Sequence, residues 1–361
     1  MVKASVIWLN YNSMNFIDIA LRSLESFLDL DFDGYEVIIV DNASTDGSFE
    51  RIKKFIEEHK PSSVRVRIIR NDENLGYAGG MNVGWDARDP DSKYVAFANN
   101  DLIPTPQSLT KLIEYMDGDE RVGAVSGLIY YGDGKTIYSA GGWVNEIWFF
   151  DGICGKFMAN ECPGINKEHY VTYPDGAYMV TKVDAVRKAM PNGKPFIDET
   201  FLYLDDALLG LILWNKGCKI KYIPVTTGIH YAGKTTGITK VYRPSMGFYY
   251  ISRGFAIFSK IIQTRYSHIR NLIISELLLA SAALCKIADG RFCFYIYGYK
   301  DAELLADLII YRIGFLTLYN APYIKTDLLN LFPYILMYGY IGQGSHKTYS
   351  FEDFHILYEN N

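Results

Sequence analysis

A chain of 361 residues is longer than one typical domain, and its 49% apolar content is that of an ordinary globular protein. A formal net charge of −5, with no basic block, excludes a surface built to track nucleic acid. The cysteines form no Cys-x-x-Cys pair and the N-terminus leads directly into an apolar run, so free thiols in a reducing cytoplasm and no targeting segment are expected.

Residues 4–9 form an apolar run that reads as a buried strand. Asn10-Tyr11-Asn12-Ser13 follows as a polar loop, with Ser13 placed to cap a helix carrying Ile17, Leu21, Leu24 and Leu28 at helical spacing. Residues 36–40 make a second strand. It ends in Asp41-Asn42-Ala43-Ser44-Thr45-Asp46-Gly47-Ser48, which opens a helix with Phe49, Ile52 and Ile56 on one face. A third strand, residues 64–69, leads into the glycine-rich loop Asn74-Leu75-Gly76-Tyr77-Ala78-Gly79-Gly80 and a helix to about Ala87. A fourth, residues 94–98, runs into Asn99-Asn100-Asp101. Strands alternating with helices imply an α/β fold with a doubly wound, mostly parallel sheet covered on both faces. All four polar strand ends should share one rim, where such sheets bind ligands.

Residues 105–117 read as a helix and 122–131 as a strand. Residues 132–170 are rich in Gly, Trp and Phe without a period, and suggest an insertion over the site with a hairpin at Gly141-Gly142. Pro174-Asp175-Gly176 is a turn entering a strand, and Asp205-Asp206 opens a helix to about Trp214. Residues 219–223 form a strand, and Gly228-Ile229-His230-Tyr231 follows Pro224. From residue 245 aromatic, helix-like segments dominate, which divides the chain into a catalytic domain, 1–244, and a helical C-terminal domain, 245–361. Residues 328–345 carry no charge, but Pro333, Gly339, Gly342 and Gly344 interrupt them, so no spanning helix is expected.

Several rim residues could carry chemistry, and each has a plainer role. Asp101 beside two amides suits a divalent metal holding phosphate oxygens, or a simple turn. Asp41 can accept a hydrogen bond from a base or a ribose, or cap the next helix. The Asn74 loop lets a backbone come close to a ligand, yet matches neither a dinucleotide fingerprint nor a P-loop. Asp205-Asp206 could supply a general base, or merely an acidic first helical turn. His230 could ligate a metal, or pack as a hydrogen-bonded core residue.

In their order, Asn10-Tyr11-Asn12, the Asp41 loop, Asn74 to Gly80, Asn99-Asn100-Asp101, Asp205-Asp206 and His230 resemble the family 2 glycosyltransferases, with the rhamnosyltransferase-like branch nearest. The resemblance covers roughly residues 4–245. It implies a GT-A fold and inverting transfer from a nucleotide-sugar donor to a hydroxyl of a glycan or lipid-linked acceptor. It implies that Asp41 meets the base, with Asn10, Asn74, Gly76, Asn99 and Asn100 around the donor. Asp101 and His230 would hold Mg2+ or Mn2+, and Asp206, beside Asp205, would be the catalytic base. The sequence departs from the family pattern where Asn99 replaces an acid, Asp205 replaces Glu and Leu208 stands where a further acid is usual. A sugar-nucleotide pyrophosphorylase is the main alternative, but its basic, glycine-rich first loop is missing from Asn10-Tyr11-Asn12-Ser13. A catalytically inactive, membrane-associated binding protein is the other. The tyrosines after residue 245 suggest peripheral contact with the inner face of the cell membrane, or a homo-oligomer interface.

Overall fold

The computed structural model describes residues 2–59, 63–146, 151–152, 164–232, 244–272, 291–325 and 354–355. Strand β1 (Ala4–Asn10) leads through helix α1 (Ile17–Leu28) to β2 (Tyr35–Asp41), and α2 (Ser48–His59) leads on to β3 (Arg65–Arg70). Helix α3 (Gly76–Ala87) precedes β4 (Tyr94–Asn99). These four strands lie side by side in the order β4-β1-β2-β3, all parallel, so their polar ends do share a rim. β1 and β2 are buried along almost their whole length and mostly apolar, because both faces are covered. Helix α3 sits close on β1, where a Cβ at Gly84 would lie 2.4 Å from the Ile7 side chain.

The sheet continues through elements that the sequence only partly announces. β5 (Leu102–Pro104) is a short strand just past Asp101, followed by α4 (Ser108–Asp117) and β6 (Val122–Tyr131). β7 (Ile137–Ser139) folds back on β6. The hairpin therefore turns at Asp133-Gly134 rather than at Gly141-Gly142; Gly134 has φ +66° and Asp133 Oδ1 accepts from Lys135 N at 2.9 Å. Gly142 instead begins β8 (Gly142–Trp143), which pairs with β9 (Asp151–Gly152). β10 (His169–Tyr170) edges the sheet, and β11 (Tyr178–Lys182) runs antiparallel between β4 and β6. After α5 (Val183–Ala189) comes α6 (Asp205–Asn215), apolar on all sides and buried from Ala207 to Trp214. Leu208 belongs to that core, so no acid at this position reaches an acceptor.

β12 (Lys219–His230) corrects the expected strand end at residue 223. It runs on past Pro224 in a single strand, with register shifts between Tyr222 and Gly228. Proline is tolerated there because an irregular stretch does not need its missing N–H. The extension places His230 opposite Leu102 of β5.

Helices α7 (Pro244–Ile261) and α8 (Arg291–Ile313) pack on each other, and the short strands β13 (Ile262–Gln263) and β14 (Leu316–Thr317) pair beside them. This region folds back onto the main sheet and its covering elements. Asn215 exchanges two 3.0 Å hydrogen bonds with the Thr317 backbone, and buried Glu146 accepts from Arg265 at 2.9 Å. Among the described residues no helix is long and apolar enough to cross a membrane. The 328–345 stretch lies outside the described residues. Cys218 is a free thiol, but Cys293 is disulfide-bonded. The free-thiol expectation does not hold at Cys293, since a disulfide needs no Cys-x-x-Cys spacing.

Candidate active site

The rim is built from interlocked side chains. Asn10, at the end of β1, donates from Nδ2 to Asp41 Oδ1 at 2.8 Å and accepts at Oδ1 from Ser13 Oγ (2.6 Å) and Asn100 Nδ2 (3.0 Å). This one amide ties together the ends of β1, β2 and β4. Asp41 is almost wholly buried: Oδ1 also accepts from Ser44 Oγ at 2.6 Å, Oδ2 accepts from Ser44 N at 3.0 Å, and Arg70 lies 3.5 Å away. Its carboxylate is thus engaged in shaping its own loop. If it also meets the nucleotide base, Asp41→Ala should raise the donor KM more than it lowers kcat, because a base contact binds ground and transition states alike. A steady-state donor titration checks this, and an unchanged KM leaves Asp41 the loop role alone.

Asn42, missed as a site residue, does the equivalent work for the glycine-rich loop. Its Nδ2 donates to Asn74 Oδ1 and Gly76 O, both at 2.8 Å, and its Oδ1 accepts from Asn71 Nδ2 (2.9 Å) and Leu75 N (3.0 Å). Gly76 has φ +70°, and a Cβ there would lie 2.2 Å from the Phe201 carbonyl oxygen. The backbone that Gly76 admits is therefore that of residue 201, whose carbonyl caps α3 by accepting from Tyr77 N at 2.6 Å. The close approach expected of a ligand at Gly76 is made by the protein itself. Asn99 is half-buried, and its side chain has no hydrogen bond to another described residue, so its amide is available at the rim.

Asp101 and His230, 129 positions apart, are brought together by the β5–β12 pairing. His230 Nε2 lies 2.9 Å from Asp101 Oδ1, and both side chains are buried. The Tyr138 ring meets the imidazole edge-on, with centroids 4.3 Å apart. A carboxylate oxygen and an imidazole nitrogen in contact form a donor set that fits Mg2+ or Mn2+. No group of three or more His, Cys, Asp or Glu side chains that could hold a metal occurs among the described residues. His230 Nδ1 is buried without a hydrogen-bond partner among the described residues, unlike the usual metal-binding histidine, whose second nitrogen is held by an acceptor.

The two acids of α6 face different ways. Asp205 is buried and accepts a short hydrogen bond from the Thr200 hydroxyl. Asp206 is half-buried; its Oδ2 accepts from Gly176 N at 3.0 Å and its Oδ1 from Ala207 N at 2.8 Å. A carboxylate has about four lone-pair sites, so Asp206 keeps acceptor capacity for a substrate hydroxyl. Burial lifts both carboxyls to about 7. The nearby charge of Asp175 adds to the effect on Asp206, while Thr200 and Arg253 oppose it at Asp205. The chain enters α6 through left-handed Phe201 (φ 62°), Tyr203 (φ 67°) and Leu204 (φ 69°). Such non-glycine conformations cost on the order of 1–3 kcal/mol each and persist only where the surroundings enforce them.

Asp175 was legible only as a turn residue. Its place follows from β11 running antiparallel to β4, Tyr178 opposite Ala98, which sets the residues before β11 on the same rim. Two phenols line the space between the carboxylates. Tyr77 donates to Gly176 O at 2.8 Å, and burial, then Asp206, Asp205 and Asp175, push it well above the usual phenol range. Tyr138 is pushed up in the same way by burial, then Asp175 and Asp206, with a smaller contribution from Asp101. One ring thus lies within electrostatic reach of both the Asp101–His230 pair and Asp206.

Residues 5–167 match the family model described as Glycosyl transferase family 2. An uncharacterized glycosyltransferase of Haemophilus influenzae is 27% identical over 121 residues, which is 34% of this chain and 35% of the relative. An uncharacterized glycosyltransferase of Nostoc is 31% identical over 140 residues, 38% of this chain and 41% of the relative. The chain therefore spans well under half the length of these curated relatives. A solved mannosyltransferase of Pyrobaculum calidifontis superposes with a TM-score of 0.50 at 16% identity, over 85% of this chain and 86% of that one. The fold is GT-A.

Proposed function

We propose that the chain is an inverting glycosyltransferase, of the rhamnosyltransferase-like branch, that moves a sugar from a nucleotide-sugar to a hydroxyl of a glycan or lipid-linked acceptor. The observation that carries this reading is the buried Asp101–His230 contact, with the Tyr138 ring edge-on to the imidazole, on the sheet rim that also carries Asp206. Asp101 and His230 are the residues that would hold a divalent ion, which when bound supplies positive charge to the leaving diphosphate. The mannosyltransferase neighbour is described in complex with GDP-Man and Mn2+, in keeping with that assignment. Asn99 is the rim amide left for the ribose, while Asn10, Asn74, Gly76 and Asn100 set the shape of the donor pocket.

Asp206 accepts a hydrogen bond from the acceptor hydroxyl. As that oxygen attacks the anomeric carbon from the face opposite the diphosphate, the proton passes to Asp206. The bond from carbon to diphosphate oxygen breaks, and its electron pair leaves with the diphosphate. A single displacement inverts the configuration, and no nucleophilic side chain is needed. Assaying nucleotide diphosphate release from a panel of nucleotide-sugars, with and without acceptor, tests the reading. Acceptor-dependent release from one donor is expected. Release of pyrophosphate from a triphosphate and a sugar phosphate would mark a pyrophosphorylase, and binding without turnover an inactive fold.

The C-terminal region is the proposed attachment to the inner face of the cell membrane, close to a lipid-linked acceptor. Tyr297, Leu304 and Tyr311 lie exposed at seven-residue spacing on α8, with exposed Phe315 just beyond. Liposome flotation should recover the protein with the vesicles. A soluble dimer that ignores vesicles would assign the stripe to a homo-oligomer instead. Tyr250 is not available for either role, since it stacks on Phe201 with centroids 5.4 Å apart.

A further inference from the structure

The left-handed turn at residues 201–204 aims Asp206 into the cleft, and it is not held by the catalytic sheet alone. Upstream, Asn82 Nδ2 fixes Asp198 Oδ1 at 2.7 Å and the Phe196 carbonyl at 2.8 Å. On its other side the turn meets the C-terminal helices. Arg253 of α7 donates a short hydrogen bond to the Thr200 carbonyl, and the Thr200 hydroxyl donates to Asp205. The guanidinium lies 4.7 Å from the Tyr250 ring centroid, and Tyr250 in turn stacks on Phe201. Leu204 fits against Gly254, where a Cβ would come within 2.1 Å of its side chain. Arg312 of α8 adds a bidentate pair to Glu199, at 2.9 and 2.6 Å.

We propose that Arg253 is a positioning residue for the Asp205–Asp206 pair, holding residues 200–204 from the C-terminal helix in the shape that directs Asp206 at the acceptor. The proposal rests on the glycosyl transfer reading, and it makes the C-terminal region part of the catalytic apparatus as well as a candidate attachment surface. Arginine suits the task because its planar fork hydrogen-bonds a carbonyl while its face covers an aromatic ring. Its charge beside Asp205 also opposes the effect of burial on that carboxyl. The proposed donor network, Asn10–Asp41–Asn42, meets the turn only through Gly76 and Tyr77 against Phe201, and Arg253 makes no hydrogen bond to it.

The test separates turnover from donor binding. Arg253→Ala should lower kcat at saturating donor by about tenfold to a hundredfold, the scale of a displaced catalytic group. Its donor KM and its affinity for nucleotide diphosphate should stay within about twofold of wild type. Arg253→Lys keeps the charge and one donor, and should recover part of the lost rate. Backbone hydrogen exchange over residues 200–207 should speed up in Arg253→Ala, while exchange over residues 41–48 does not change. Wild-type kcat in Arg253→Ala, or a loss confined to donor KM, overturns the proposal. Should Arg253→Ala not fold, Arg253→Lys decides: full turnover with unchanged exchange overturns the proposal, and a reduced kcat with unchanged nucleotide affinity upholds it. If wild type turns over no nucleotide-sugar, the functional reading fails, and the exchange measurement still judges the coupling by itself.

Discussion

Asp206→Asn should leave a protein that folds and binds its donor but turns over on the order of 10²–10⁴ times more slowly. The amide is nearly isosteric, so its Oδ1 can still accept from Gly176 N or Ala207 N. What it loses is the ability to take the proton that becomes acidic as the new bond forms, so the effect belongs in kcat. Asp205→Asn should cost much less, because Asp205 faces Thr200 and an amide oxygen can accept the same hydroxyl. The two variants belong side by side under saturating donor. Loss confined to Asp205→Asn would reverse the assignment, and near-normal turnover in both would place the base elsewhere.

The pH dependence follows from the same burial. Asp206 must be ionised to act as a base, and its carboxyl is lifted to about 7. In the wild type kcat should therefore fall as pH drops through about 7, and the residual activity of Asp206→Asn should lose that limb if Asp206 alone produces it. The sign for stability is opposite. A carboxyl whose pKa is raised on folding binds its proton more tightly in the folded state, so the native state holds more protons than the unfolded chain between the usual carboxylate range and about 7. Stability then falls as pH rises through that window. Asp206→Asn removes the contribution of Asp206 to this pH dependence, so its thermal midpoint should vary less with pH across that window than that of wild type.

The strand-and-loop order of the first hundred residues was legible because period and polarity act locally. Apolar runs such as residues 37–40 had to be buried strands, and polar ends had to gather where parallel strands end. Asp101, His230, Asp205 and Asp206 could be singled out by residue type and order. That Asp101 and His230 would meet came from the family resemblance; the register that joins them did not, since it is long-range. The bond from Asp101 to His230 needs β5, only three residues long, to pair with an extension of β12 beyond a proline. Asp175 joined the site through an antiparallel crossing, and Arg253 through the folding back of a helix with no motif. Gly76 shows the opposite failing: the sequence fits a glycine that admits a ligand, but a backbone carbonyl from residue 201 occupies the space.

Loss of the Asp101 carboxylate should be nearly as damaging as loss of the base, and for a reason that can be measured without turnover. Asp101→Ala removes one of two adjoining donors and also strips His230 Nε2 of its partner while Nδ1 already has none. A buried polar group left unsatisfied costs about 1–3 kcal/mol, so part of the effect would be structural. Asp101→Asn separates the two. Its amide oxygen can still accept from His230, preserving the contact, but it brings no negative charge to a cation. Both variants should lose on the order of 10²–10³ in rate, the scale set by removing a stabiliser of developing charge. Only Asp101→Ala should lose appreciable thermal stability. Nucleotide diphosphate binding, followed by calorimetry, gives the independent readout. Wild-type affinity should rise with Mn2+ and fall with a chelator, whereas Asp101→Asn should respond weakly to either. A wild type indifferent to chelator in both binding and rate would leave Asp101 and His230 as a buried hydrogen-bonded pair that merely closes the β5–β12 corner.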